Sequence, residues 1–471
     1  MTEEKKGTEE EYTLKKAVLY SFAGFTDVIF LQFFTFLIFT FYFSIVDLPA
    51  VWMSLGFIIW AIWNAINDPM LGAISDRSHL KMGRRKPFII IGIIPLTVLN
   101  VLLFTAPLEP KPLAFAYFLI IIIIWELFYT MYSLNQTSLF PEMFRDLDQR
   151  AKASNSIQFF QVLSLLVAFL LPGFIIESFT SEDIPIRDTY MQYIFAAIVI
   201  SIICAIGAFI FIKFGLKERV EFSKDYEKTP TFKQALKYTF GHKSFKLYVI
   251  GNFGLWFAFN MIPTIMPIYG TICLGVSDAD IISLILGVGF VSAAIFVFPW
   301  RLIVNKLGAK GSYILSLIMF IITLLPLMFI KGVVLGFVFF FILGFGLAGI
   351  LIVRDITLSA IIDEDELNTG VRREGNFYGI NGFVVKFSNV VVFLSIGLVF
   401  IGSDWNIFDL KSAEYAVEFG LRSLMVIFPI VFLIIGIIAM SYFPINKEKY
   451  DQLTEDAKKM HSEKKQKVSA S

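Results

Sequence analysis

The chain has 471 residues, 57% of them hydrophobic and only 17% charged, with a net charge of +1. Soluble domains hold about 45–50% apolar and about 25% charged residues, so lipid, not water, must surround most of this chain. The near-neutral balance gives no reason to expect a nucleic-acid partner. Two cysteines and three histidines supply neither a disulfide framework nor a metal or nucleophile cluster, so neither an enzyme nor a cofactor is expected.

The charged first sixteen residues lack a signal-peptide core and are expected to form a short cytoplasmic arm. About twenty apolar residues are needed to cross the bilayer as a helix. On that criterion twelve spans are predicted, near 16–44, 50–76, 87–107, 112–140, 153–178, 189–215, 244–274, 279–304, 310–330, 334–361, 374–401 and 416–443. Lysine and arginine crowd the loops after spans two, four, six and eight and the loop before span eleven, whereas the alternate loops are nearly bare. The positive-inside rule therefore puts the basic loops and both termini in the cytoplasm. The basic stretch 217–243 divides the chain into an N-terminal six-helix bundle (1–216) and a C-terminal one (244–446), followed by a lysine- and glutamate-rich tail (447–471). The turn after span eight, Asn305 to Lys310, is a weaker echo of the turn after span two, and repeated halves of this kind are typical of secondary transporters. No phosphate-binding loop is present to suggest that ATP drives the protein.

A charge near the bilayer centre costs about 2.5–3.5 kcal/mol, so each one needs a reason. Asn64 and Asp68, four residues apart on span two, share one helix face, and Asp68 is expected to face a cavity as a cation or proton site, or else to sit in a structural ion pair. Lys386 lies about a dozen residues into span eleven, too deep for easy snorkelling, and is the preferred partner of Asp68. Asp76, Arg77, Arg84 and Arg85 flank the turn after span two, where such groups cap helices and can pair across the bundles as a cytoplasmic gate. Glu126, Arg354 and Asp355 are further charges within spans four and ten. Adjacent in sequence, Arg354 and Asp355 need not pair; Arg354 suits either an anionic solute or a structural pair with Asp27 or Glu126.

The string NDPMLGAISDRSHLKMGRRKPF (67–88) resembles the signature of the glycoside–pentoside–hexuronide:cation symporters, a branch of the major facilitator superfamily, and IIDEDELNTGVRREGNFYGINGFVVK (361–386) is similar to that family's turn and helix before its span-eleven lysine. The resemblance implies twelve helices, alternating access, a central solute site and, as partners, a small-molecule solute, a coupling H⁺ or Na⁺ and the lipid bilayer, with no obligate protein partner. It implies a cation site at Asp68, with Lys386 beside it and Thr130 contributing. The family's first span-two aspartate is replaced here by Asn64, which weakens a Na⁺ site at Asp68 and favours proton coupling or uncoupled transport. The sugar-binding positions also depart: Ser133 and Thr137 stand on span four, Gln158 on span five, and the first-span aspartate falls at or beside Asp27. What remains is a set of amides and hydroxyls (Ser133, Asn135, Gln136, Gln158 and Asn381) that suits a neutral polyhydroxylated solute or, alternatively, interhelical hydrogen bonding. A sugar or glycoside is the expected cargo, and a lysolipid-like amphiphile the alternative.

Overall fold

The computed structural model describes residues 13–76, 78, 82–83, 85–144, 147–181, 184–216, 239, 241–369, 374–400 and 415–470. Among them every regular element is helical. In the first half these are α1 (Leu14–Thr40), α2 (Ala50–Asp76), α3 (Lys86–Leu102), α4 (Lys111–Met143), α5 (Leu147–Ile175) and α6 (Ile186–Ile210). In the second half α7 is Lys243–Ile272, and the element Ala279–Leu324 breaks at Gly308 into α8 (279–307) and α9 (309–324). Then come α10 (Val333–Thr369), α11 (Glu374–Phe400), α12 (415–441, with a wide turn at Ser423–Ile427) and α13 (Lys447–Ala470).

Backbone polar groups cannot be left unpaired in hydrocarbon, which is why apolar runs of this length become helices. Among the described residues ten helical segments are long and apolar enough to cross a membrane; the segment Ala279–Met328, broken at Gly308, holds two crossings, and the 17-residue Lys86–Leu102 is a shorter apolar helix. The total agrees with the twelve expected crossings. Gly308 makes the hairpin between α8 and α9 with φ 67°, a region that favours glycine, and the backbone of Lys447 at the start of α13 packs against it. A side chain there would collide with Lys447, so the tail helix seats on this turn.

Most helices pack within their own half of the chain, and among the described residues the halves meet chiefly through α1 with α7, α2 with α11, and α5 with α8, with side chains of α1 and α4 also reaching α11. At the end of the interface remote from α13 these contacts are apolar and close. Phe57 stacks on Phe393 with centroids 3.9 Å apart, Phe39 meets Phe400 edge-on at 5.6 Å, and Phe169 stacks on Phe290 at 5.1 Å. The amide of Ala279 donates to the carbonyl of Glu177 at 2.9 Å, joining the ends of α5 and α8. This end of the interface is closed.

Candidate ion and solute site between the bundles

Two indole nitrogens and one amide lock α2 onto α4. Trp60 donates to the Glu126 carboxylate at 3.1 Å, Trp63 to the carbonyl of Ile123 at 3.1 Å, and Asn67 to the carbonyl of Glu126 at 3.2 Å. The residues 60, 63 and 67 recur at helical spacing, so one stripe of α2 is committed to α4. The neighbouring stripe, Asn64 and Asp68, is thereby turned toward α11.

Lys386 reaches across from α11 into this stripe. Its Nζ lies 2.6 Å from Asp68 Oδ1, 3.3 Å from Asn64 Oδ1, 3.4 Å from Glu126 Oε1 and 3.3 Å from Thr130 Oγ1. Thr130 Oγ1 in turn lies 3.0 Å from Asp68 Oδ1 and 3.1 Å from Glu126 Oε1. An ammonium has three hydrogens, and here four oxygens surround it, so they share its donors. With both acids ionised the set carries one net negative charge. The side chains of Lys386 and Asp68 keep 26% and 19% of their surface accessible, whereas Glu126 keeps 1%. Of the two acids, Asp68 is thus the accessible one and Glu126 the buried one.

The expected proximity of Asp68, Asn64, Thr130 and Lys386 is met by this geometry. Sequence reasoning left Glu126 unassigned, although its spacing of four from Thr130 already placed the two on one face of α4. Glu126 changes the charge argument: the carboxylate absent at position 64 of α2 has a counterpart on α4. Asp27, half-buried on α1, lies beside Tyr129 and Ser133 of α4 and within electrostatic reach of Lys386, and its Oδ1 has no hydrogen-bond partner among the described residues. Tyr129 stacks on Trp125 at 5.0 Å, and Trp125 on Phe34 at 4.6 Å, giving an aromatic wall next to these polar groups.

The other expected solute residues are more scattered. Gln136 is buried, and its amide nitrogen donates to Thr137 Oγ1 at 2.9 Å, while Thr137 and Gln158 are exposed. Asn381 accepts from the amide of Asn252 at 2.7 Å, joining α11 to α7. Arg354 joins neither Asp27 nor Glu126; it contacts its neighbour Asp355 at 3.4 Å and covers the ring of Trp256 at 4.8 Å, because a long side chain can fold back over an adjacent residue that helical direction alone separates. Of the four expected gate residues, Arg77 and Arg84 lie outside the described residues, as does the side chain of Asp76; Arg85 is buried.

A twelve-crossing helical chain whose halves meet over a buried ion cluster has the architecture of a secondary transporter. Residues 19–447 match the family model described as MFS/sugar transport protein, and the chain belongs to that family. It is similar to a candidate 2,3-dihydroxypropane-1-sulfonate exporter of Escherichia coli (26% identical, covering 95% of this chain and 97% of the relative). It also resembles the isoprimeverose transporter of Lactiplantibacillus pentosus (22% identical, covering 88% and 85%). The solved D-xylose–proton symporter superposes with a TM-score of 0.63 at 14% identity over 92% of this chain and 98% of that one, a likeness of fold.

Proposed function

We propose that the chain moves a sugar, glycoside or similar polyhydroxylated solute across the cell membrane by alternating access, coupled to H⁺ or Na⁺ exchanging with Lys386. The observation that carries this reading is the set of four side-chain oxygens from α2 and α4 gathered around one ammonium from the opposite bundle. Carboxylate, amide and hydroxyl oxygens suit a hard monovalent cation, and the tethered ammonium stands in for one. A cation or proton taken by Asp68 and Glu126 removes the attraction for Lys386, so α2 and α11 part, and the interface can rock. Binding energy of the ion is thereby linked to the equilibrium between the two access states. Asp27, Tyr129 and Ser133 supply hydrogen-bonding groups beside an aromatic wall for the solute. The family description and the solute named for the Lactiplantibacillus relative support a sugar-like cargo. Both termini are cytoplasmic in this reading, residues 217–243 link the two halves, Asp76, Arg77, Arg84 and Arg85 act at the cytoplasmic gate, and the aromatic closure faces outward.

Purified protein in proteoliposomes, given radiolabelled sugars under Na⁺, Li⁺ and pH gradients, tests the proposal. Wild type should accumulate a sugar against its gradient, and Asp68→Asn should exchange it without accumulation. Uphill accumulation by Asp68→Asn would overturn the coupling, and uptake of lysolipid in place of any sugar would transfer the function to an amphiphile.

A further inference from the structure

The polar cluster around Lys386 leaves Arg354 unused. This residue sits on α10, on the opposite face from the exposed Val338 and Phe341, so the side chain points into the C-terminal bundle and not to lipid. Its side chain keeps 15% of its surface accessible. The guanidinium lies over the ring of Trp256 on α7. One helical turn along α7 from Trp256, Asn252 binds Asn381 of α11, so α7, α10 and α11 converge here. The buried Tyr313 phenol of α9 lies within electrostatic reach of the guanidinium and has no hydrogen-bond partner among the described residues.

A buried arginine normally satisfies its five donors with carboxylates or carbonyls. Arg422 in the same bundle shows what that looks like. It donates to the carbonyls of Leu327, Cys273 and Ile330 and to the Glu418 carboxylate, at 2.8–3.1 Å. Among the described residues Arg354 makes none of these bonds: its Nε is buried without a hydrogen bond, and its one ionic contact is the 3.4 Å approach of Asp355, which is itself about half exposed. A seat over an indole holds the guanidinium by its charge without consuming its N–H groups. The result is a planar fork whose two terminal nitrogens carry no hydrogen bond among the described residues. That is the geometry that recognises an oxyanion bidentately.

We infer that the transported solute carries an oxyanion, a carboxylate, sulfonate or phosphate on a polyhydroxylated skeleton, and that Arg354 on its Trp256 platform binds that group, with Tyr313 as a further donor. The inference rests on the solute-transport reading above and narrows its solute class. It also gives Asp355 a role. In the solute's absence this carboxylate partly neutralises the guanidinium, and an incoming anion must displace it.

Exchange measured in proteoliposomes on matched pairs tests it: glucose against glucuronate, glycerol against 2,3-dihydroxypropane-1-sulfonate, and glucose against glucose 6-phosphate; the acid that exchanges identifies the source of the oxyanion. Wild type should prefer the acid of at least one pair. Loss of a charge-assisted hydrogen bond changes affinity by about ten- to a hundredfold, so Arg354→Gln should erase a preference of that size, read as the ratio of acid to neutral exchange. Arg354→Lys keeps the charge without the fork and should retain only part of the preference, and this comparison stands even if the glutamine variant fails to insert. Asp355→Asn should strengthen acid binding. Equal use of acid and neutral partners by wild type, or an unchanged preference in both Arg354 variants, would overturn the inference and leave sugar transport intact. If no member of any pair exchanges, the sugar reading falls and this inference with it.

Discussion

The helix pair α2–α11 is joined in two places by opposite means. Toward the closed end, Phe57 and Phe393 stack at 3.9 Å, and Ser54 presses on Gly397 so closely that a Cβ at 397 would lie 1.9 Å from its hydroxyl. Two turns along α11, Lys386 enters the oxygens of Asp68, Asn64, Glu126 and Thr130. The first contact depends on dispersion and shape and does not respond to ions. The second is a balance between a Coulombic attraction and the cost of desolvating three charges, so an ion that changes one charge shifts it. Side by side they give one helix pair a contact that ions leave alone and a contact that ions can alter; in the proposed cycle the first holds one access state together and the second decides when it gives way.

Removing either member should break this contrast in a characteristic way. The largest effect is expected from Lys386→Leu, which leaves two carboxylates facing each other without a counter-charge. Stranding buried charge in this manner costs about 3–5 kcal/mol, and the thermal midpoint in detergent should fall and then recover with Na⁺ or at low pH. A midpoint indifferent to both would remove the electrostatic account. Phe393→Ala should cost a comparable ~3–5 kcal/mol through the cavity it leaves, yet without any new ion or pH response, and a response here would blur the distinction. Gly397→Ala, which overpacks the contact, should cost about 1–3 kcal/mol and be rescued by Ser54→Gly, since the obstruction is the serine side chain; failure of the double variant to recover would place the clash elsewhere. Smallest of all, Asn64→Asp adds a third carboxylate beside Lys386 and should raise Na⁺ stimulation of uptake modestly, measured as the ratio of initial rates with and without Na⁺. An unchanged ratio would count against position 64 as a cation contact.

The crossings were legible in the sequence because a helix in lipid needs only length and apolar composition, and both are local properties. The pairing of Asp68 with Lys386, 318 positions apart, was legible for a different reason: each charge is costly alone in hydrocarbon, and each therefore implies the other. Glu126 escaped because one lysine seemed already satisfied by one aspartate; only the packing of α4 on α2 through Trp60, Trp63 and Asn67 shows that it enters the same set. Arg354 stood out in the sequence as suited to an anionic solute or an acidic partner, but the ring it lies over was not legible there. Its partner is an aromatic face, and a ring announces nothing in a sequence that holds 53 phenylalanines, 17 tyrosines and 7 tryptophans. Gln136, Thr137 and Gln158 illustrate the limit of composition: amide and hydroxyl side chains look alike in the sequence whether they meet solute, a neighbouring residue or the surface.

The hydroxyl of Thr130 sits almost midway between Asp68 and Glu126, at 3.0 Å and 3.1 Å. A threonine owns a single proton to give, so only one of the two acids can hold it at a time. The acid left out keeps its contact with Lys386, and a rotation of the hydroxyl about its Cβ–Oγ bond hands the proton from one acid to the other. The two helices thus compete for one hydrogen, and it can pass between them without any movement of the backbone.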